Sequence, residues 1–207
     1  MTEFQERVER SRALSEWIRE CHPGSLKSKD SVLEVTLFSI ALDHREAILL
    51  LLQAGARTSA FALARSLYEA FVRGAWAQHC ATSEDRDRAY STGVMPGLDK
   101  MVRDLGKVGG EFFRASKDAM YGPLSDYAHT GMRQVVRWTG AEGIAPRHSD
   151  IETIELIDCV DVYAVLASMC LAKACGHDIA PYVSKVGTVT DEHKKWKAAR
   201  EQPSHPK

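Results

Sequence analysis

The chain has 207 residues, 44% of them apolar and 27% charged, and its 27 Lys and Arg against 28 Asp and Glu leave a formal net charge of −1. That length suits a single domain, with or without a tail. The charge balance excludes a dedicated nucleic-acid coat or a polybasic membrane binder, although a small RNA-binding patch fits it.

Apolar residues recur at three and four almost throughout, which predicts an all-α chain. A first helix is expected over about 3–20, where Thr2 and Gln5 have capping-box spacing; Phe4, Val8, Leu14, Trp17 and Ile18 form its apolar face, and His22-Pro23-Gly24 ends it. The second should begin after Ser31, with Glu34 as box partner, and end near Gly55. It is apolar nearly all round, the pattern of a central helix, except for the block Asp43-His44-Arg45-Glu46. A third helix should span 58 to 79 or 80, a short charged one 83–90, and another should run from Met95-Pro96-Gly97 to about Leu105, with 106–110 as a break. Residues 111–120 read as helix, Gly122-Pro123 as a turn, and Pro123 as the first turn of a helix reaching Trp138. After a Gly/Pro loop over 139–148, Ser149 and Glu152 form another capping box and open a long helix to about Cys175. The expected organisation is a bundle of about four long helices plus short ones over 1–186, followed by a loose polar tail over 187–207.

Neither a membrane span nor a secretory leader is expected. The apolar run 47–56 is far short of the roughly 20 residues that cross a bilayer, and Glu3, Glu6 and Arg7 stand where a signal peptide needs an apolar core. A cytoplasmic address follows, and there the five cysteines (Cys21, Cys80, Cys159, Cys170 and Cys175) pack as reduced thiols.

Three polar interruptions of the apolar helices are candidate sites. Arg65, Glu69 and Arg73 follow one another at four-residue steps on one face of the third helix, so the carboxylate lies between two guanidinium groups. The block Asp43–Glu46 must face water, a partner or opposite charge. His44 and Arg45 point toward the Arg65/Glu69 row if the short connection makes the second and third helices antiparallel neighbours. Asp126, His129 and Arg133 share a third face, where a carboxylate beside an imidazole fixes its tautomer and raises its basicity. Each has a plainer reading: a solvated ion-pair row or buried structural network, a surface block, and a core histidine tied to its neighbour.

Standard catalytic patterns are missing. Only Asp126-x-x-His129 has the carboxylate-x-x-His form that di-metal helical proteins need twice, and Cys21-His22 and His79-Cys80 lack zinc-module spacing, so neither a metal nor a cofactor is expected. No Walker loop, dinucleotide fingerprint or nucleophile signature is present. The Arg-x(4–6)-His ribonuclease pattern of helical HEPN toxins occurs twice, Arg73 with His79 and Arg200 with His205. With 16 Arg and 8 His, chance supplies roughly two matches. On one continuous helix, Arg73 and His79 stand about 120° apart.

The stretch Ser59-Ala60-Phe61-Ala62-Leu63-Ala64-Arg65-Ser66-Leu67-Tyr68-Glu69-Ala70, then Arg73-Gly74-Ala75-Trp76 and later His129-Thr130-Gly131, resembles the pattern of a bacterial all-helical family known only as a domain of unknown function. Ile144-Ala145-Pro146 fits it too, and the resemblance spans about 35–175. It implies that Arg65, Glu69, Arg73 and His129 belong together, and it extends distantly to HEPN-type helical domains. The expected function is a helical binding or regulatory module, a homodimer in its working form. Its polar centre (Arg65, Glu69, Arg73, His44, Arg45, Asp126 and His129) would take a phosphate-bearing small molecule or RNA. One alternative is a metal-independent HEPN-like ribonuclease or phage-defence component, with His129 or His79 as general base and Arg65 or Arg73 stabilising the phosphorane. The other is a structural network, with function in protein contacts.

Overall fold

A computed structural model describes residues 1–21, 32–109, 111–140 and 143–201. Among the described residues the chain forms α1 (Glu3–Cys21), α2 (Val32–Gln53), α3 (Arg57–His79), α4 (Ser83–Thr92), α5 (Leu98–Gly109), α6 (Phe112–Ala128), α7 (Met132–Trp138), α8 (Asp150–Ala174) and α9 (Ala180–Glu201). A small antiparallel hairpin of β1 (Thr139–Gly140) and β2 (Gly143–Ile144) sits between α7 and α8, with Thr139 opposite Ile144. No helix is long and apolar enough to cross a membrane among these residues.

Two helices organise the bundle. α3 packs against α2, α5, α6 and α8, and α8 packs against α1, α2, α3 and α9. Both are apolar on several sides: Leu67, Tyr68, Phe71, Val72 and Trp76 of α3 meet Ile157, Val160, Tyr163 and Leu171 of α8 in one core. Each large side chain so buried contributes about 1.5–3 kcal/mol relative to exposure. α2 lies antiparallel to α3, as the short connection requires: Gly55, at φ +76°, ends α2, and Phe38 near its start meets Phe71 and Gly74 near the end of α3. A Cβ on Gly74 would stand 2.7 Å from the Phe38 ring, so only glycine admits that close approach.

The capping boxes at Thr2/Gln5 and Ser149/Glu152 are present, and a further one caps α4 through Thr82 and Asp85. The box expected at Ser31, like the break at His22-Pro23-Gly24, lies outside the described residues.

Three expectations need correction. α5 runs through Gly106 to Gly109, where the glycines predicted a break from 106 onward. Its buried face, Met101, Val102 and Leu105, outweighs the helix penalty of the two glycines, about 1 kcal/mol each. α6 continues across Gly122-Pro123, where a turn was expected. Leu124 and Tyr127 beyond the proline are buried, and Arg65 of α3 bonds α6 on both sides of it, at Tyr121 and Ser125. The break comes instead at residues 129–131: Thr130 takes φ +54° and the Gly131 N–H returns to the Asp126 carbonyl at 2.6 Å, the helix-ending motif of a left-handed residue. The segment from Gly187 onward, expected as a loose tail, is helical to Glu201 within α9. Its polarity is matched by polar partners: His193 bonds Asp158, Trp196 Nε1 donates to Glu3, and Arg200 pairs with Glu3.

Candidate functional site

The Arg65/Glu69/Arg73 row lies where α3 faces α6. Arg65, whose side chain is 14% exposed, spends its donors inside the fold: Nε donates to Glu69 at 2.9 Å, one terminal nitrogen to Ser125 Oγ and the other to the Tyr121 hydroxyl, both at 2.7 Å. Its guanidinium also lies 4.5 Å from the centre of the Tyr121 ring. One turn on, Tyr68 and Ser116 hydroxyls meet at 3.3 Å. Burial pushes the Tyr68 phenol above its ordinary value, against the pull of that bond. Arg73 is looser, 34% exposed and 3.5 Å from Glu69. The row is thus a clamp that ties α6 to α3, with a half-exposed cation at one end.

The other candidates are scattered. His129 is exposed as the residue closing α6, and its His-Thr-Gly element makes the helix stop described above. Asp126 is half-buried beside Gly131, whose missing Cβ would otherwise stand 2.7 Å from its Oδ1. The side chain of Arg133 lies outside the described residues. His44 is half-buried on α2. Arg45 points away from the row and into the α1–α8 interface, fully buried, which corrects the expectation that it faces Arg65 and Glu69. His79 ends α3, and its imidazole is held below its ordinary value by partial burial and then by the Lys173 ammonium. Because α3 runs unbroken from Arg73 to His79, the two remain about 120° apart around it. His205, the other half of the tail match, lies outside the described residues.

Arg45 belongs to a buried network that the sequence reading did not assemble. It bonds Asp161 Oδ1 through Nε at 3.0 Å and a terminal nitrogen at 2.7 Å, the Ser11 carbonyl at 2.6 Å, and Ser15. Ser11 Oγ also donates to Asp161, at 2.7 Å. A turn away, Asp158 takes Arg7 at 2.6 Å and His193 Nδ1 at 2.7 Å. The signal was available: Arg7, Ser11 and Ser15 follow at four-residue steps, and Asp158 and Asp161 interrupt a long, largely apolar helix.

Beside the clamp a cleft of about 330 Å³ opens between α6 and α8. Phe61, Tyr127 and Leu156 wall it, Met120 and Cys159 form its floor, and the ion pair of Arg137 with Glu152 sits at its rim. The clamp places it: Tyr121 and Ser125 face Arg65, which turns the neighbouring Met120 and Leu124 toward the cleft. Cys159 donates to the Met120 sulfur at 3.3 Å, and burial pushes its thiol up to about 12, the state of an unreactive packing cysteine. Behind Phe61, His148 is stacked at 4.6 Å with its Nε2 3.2 Å from Thr58 Oγ1 and its buried Nδ1 without a partner among the described residues. Burial holds its imidazole below the ordinary value. His148 was missed because a lone histidine beside proline and arginine in a loop carries no periodic signal.

A second cleft, of about 310 Å³, lies between α6, α8 and α9 and shares Ala119, Met120, Glu155 and Cys159 with the first. Among the described residues, no group of three or more His, Cys, Asp or Glu side chains is placed to hold a metal ion. The family of unknown function DUF6988 matches residues 38–195. No curated protein and no solved structure matches the chain.

Proposed function

The chain belongs to this family of unknown function, which brings no activity with it, and we propose from the geometry that it is a helical binding module whose ligand lies in the cleft between α6 and α8. The observation that carries this reading is the cleft itself. It is concave, walled by two aromatic rings and aliphatic side chains, and rimmed by a few charged groups, the usual composition of a small-molecule site. In this reading the Arg/Glu centre is the positioning device rather than the contact surface. Arg65 has its donors on Glu69, Ser125 and Tyr121, so it holds α6, and with it one wall of the cleft.

A phosphate-bearing ligand on the row is the second reading, and Arg73 favours it: this guanidinium is one-third exposed and holds Glu69 only at 3.5 Å. A thermal-shift screen against nucleotides, phosphate esters, aromatic and aliphatic amines and short RNAs separates the two. Ala119 is exposed at the cleft, so Ala119→Trp fills it without entering the core. A cleft ligand raises the Tm of the unmodified protein and leaves Ala119→Trp unmoved. A hit lost in Arg73→Ala and kept in Ala119→Trp assigns the site to the row instead. The cleft reading fails if no compound of the panel shifts the Tm, or if every hit survives Ala119→Trp.

A further inference from the structure

The two clefts meet along α6 and α8 and together run from Glu152 to Tyr163, about 16 Å of helix at 1.5 Å per residue. From the inventory of polar groups along this groove, we infer that its ligand is an organic ammonium ion with an extended apolar body. This rests on the reading of the cleft as a binding site and names the class of molecule it takes.

The basic side chains that line the groove are already engaged by carboxylates. Arg137 is held by Glu152, His193 Nδ1 is engaged at 2.7 Å with Asp158 Oδ2, and the Cys159 thiol donates to Met120. Asp158, the carboxylate at the inner end, is compensated by Arg7 at 2.6 Å. Glu155 is different. It is exposed, it lines both clefts at their junction, and it forms no ion pair among the described residues. On the facing helix the exposed Ala119 lines the same junction and brings no competing charge to it. One carboxylate without an ion-pair partner among the described residues thus stands where the clefts join, a charge that an ammonium group satisfies and an anion does not. Aromatic rings flank the junction on both sides: Phe61 and Tyr127 in the outer cleft, Phe112 and Tyr163 in the inner one. Their faces attract a cation and give an apolar body a surface to lie on.

The experiment is calorimetric titration of the full chain with three probes of equal length, n-octylammonium, 1-octanol and octanoate. Octylammonium binds tightest, on the order of fivefold ahead of octanol for an exposed carboxylate and ring faces, and octanoate binds weakest. Glu155→Gln removes most of the lead of octylammonium over octanol, leaving the part the ring faces supply, and leaves octanol itself unchanged. Because Glu155 is exposed, this variant keeps the fold, which its Tm confirms. The inference is overturned if octanoate equals or exceeds octylammonium, if Glu155→Gln leaves the preference intact, or if none of the three binds. A panel hit that Ala119→Trp removes, with no cation preference among the octyl probes, refutes the ammonium assignment alone; the absence of any cleft hit refutes the binding-module reading with it.

Discussion

Asp161→Ala tests whether the buried network carries as much of the fold as its geometry implies. The substitution strands Arg45, a guanidinium with no solvent exposure, and removes the acceptor of two of its hydrogen bonds and of one from Ser11. Arginine stays charged at every accessible pH, so the loss cannot be relieved by deprotonation. What remains around Arg45 is the Ser11 carbonyl and hydroxyl, Ser15, and Glu46, whose side chain is half exposed. Breaking a buried pair on one side costs about 3–5 kcal/mol. For a chain of this length that corresponds to a fall in Tm of about 6–20 °C, and to a shift of about 1.5–2.5 M in the urea midpoint at a slope near 2 kcal/mol/M. The assay is urea unfolding followed by tryptophan fluorescence, with Arg45→Met/Asp161→Ala as control. Removing both charges leaves no buried ion unpaired, only the neutral Ser11 and Ser15 hydroxyls, so the double variant should recover much of the loss. A cost below about 1 kcal/mol for Asp161→Ala would refute the reasoning, since it would mean that water reaches Arg45.

Three further outcomes follow from particular contacts. Gly74→Ala places a methyl 2.7 Å from the Phe38 ring and should cost about 1–3 kcal/mol in chemical denaturation, with Phe38→Leu restoring part of it. Glu69→Ala should cost only about 1 kcal/mol, because its carboxylate is 25% exposed and screened, while hydrogen exchange in α6 quickens as Arg65 loses one anchor; an unchanged α6 would show that the clamp does not hold it. His148, whose imidazole burial holds below 6.5, favours the neutral ring in the folded state, so its contribution to stability is present above 6.5 and lost as the pH falls through the lower folded value. An NMR titration should show that midpoint below 6.5, and His148→Phe should flatten the pH dependence of stability in that range.

Much of the architecture was legible in the residues alone. A period of three to four, capping residues at Thr2, Ser149 and their partners, and glycines at helix ends are local facts, and local physics is enough to read them. That is why the all-α class, the antiparallel α2–α3 pair and the Arg65–Glu69–Arg73 face could be written down before any contact was known. Local signals also misled where tertiary contacts outweighed them. Gly122-Pro123 looked like a turn, but buried Leu124 and Tyr127 and two bonds from Arg65 carry α6 through it. Residues from Gly187 onward are too polar to predict docking, yet Asp158 and Glu3 lie more than thirty and nearly two hundred residues away with matching charge. Periodicity shows which face of a helix is polar, but not which distant helix meets it. Arg45 was therefore visible as an anomaly in an apolar helix, whereas its partners Ser11 and Asp161, and the cleft that Arg65 places beside α8, exist only once the helices pack.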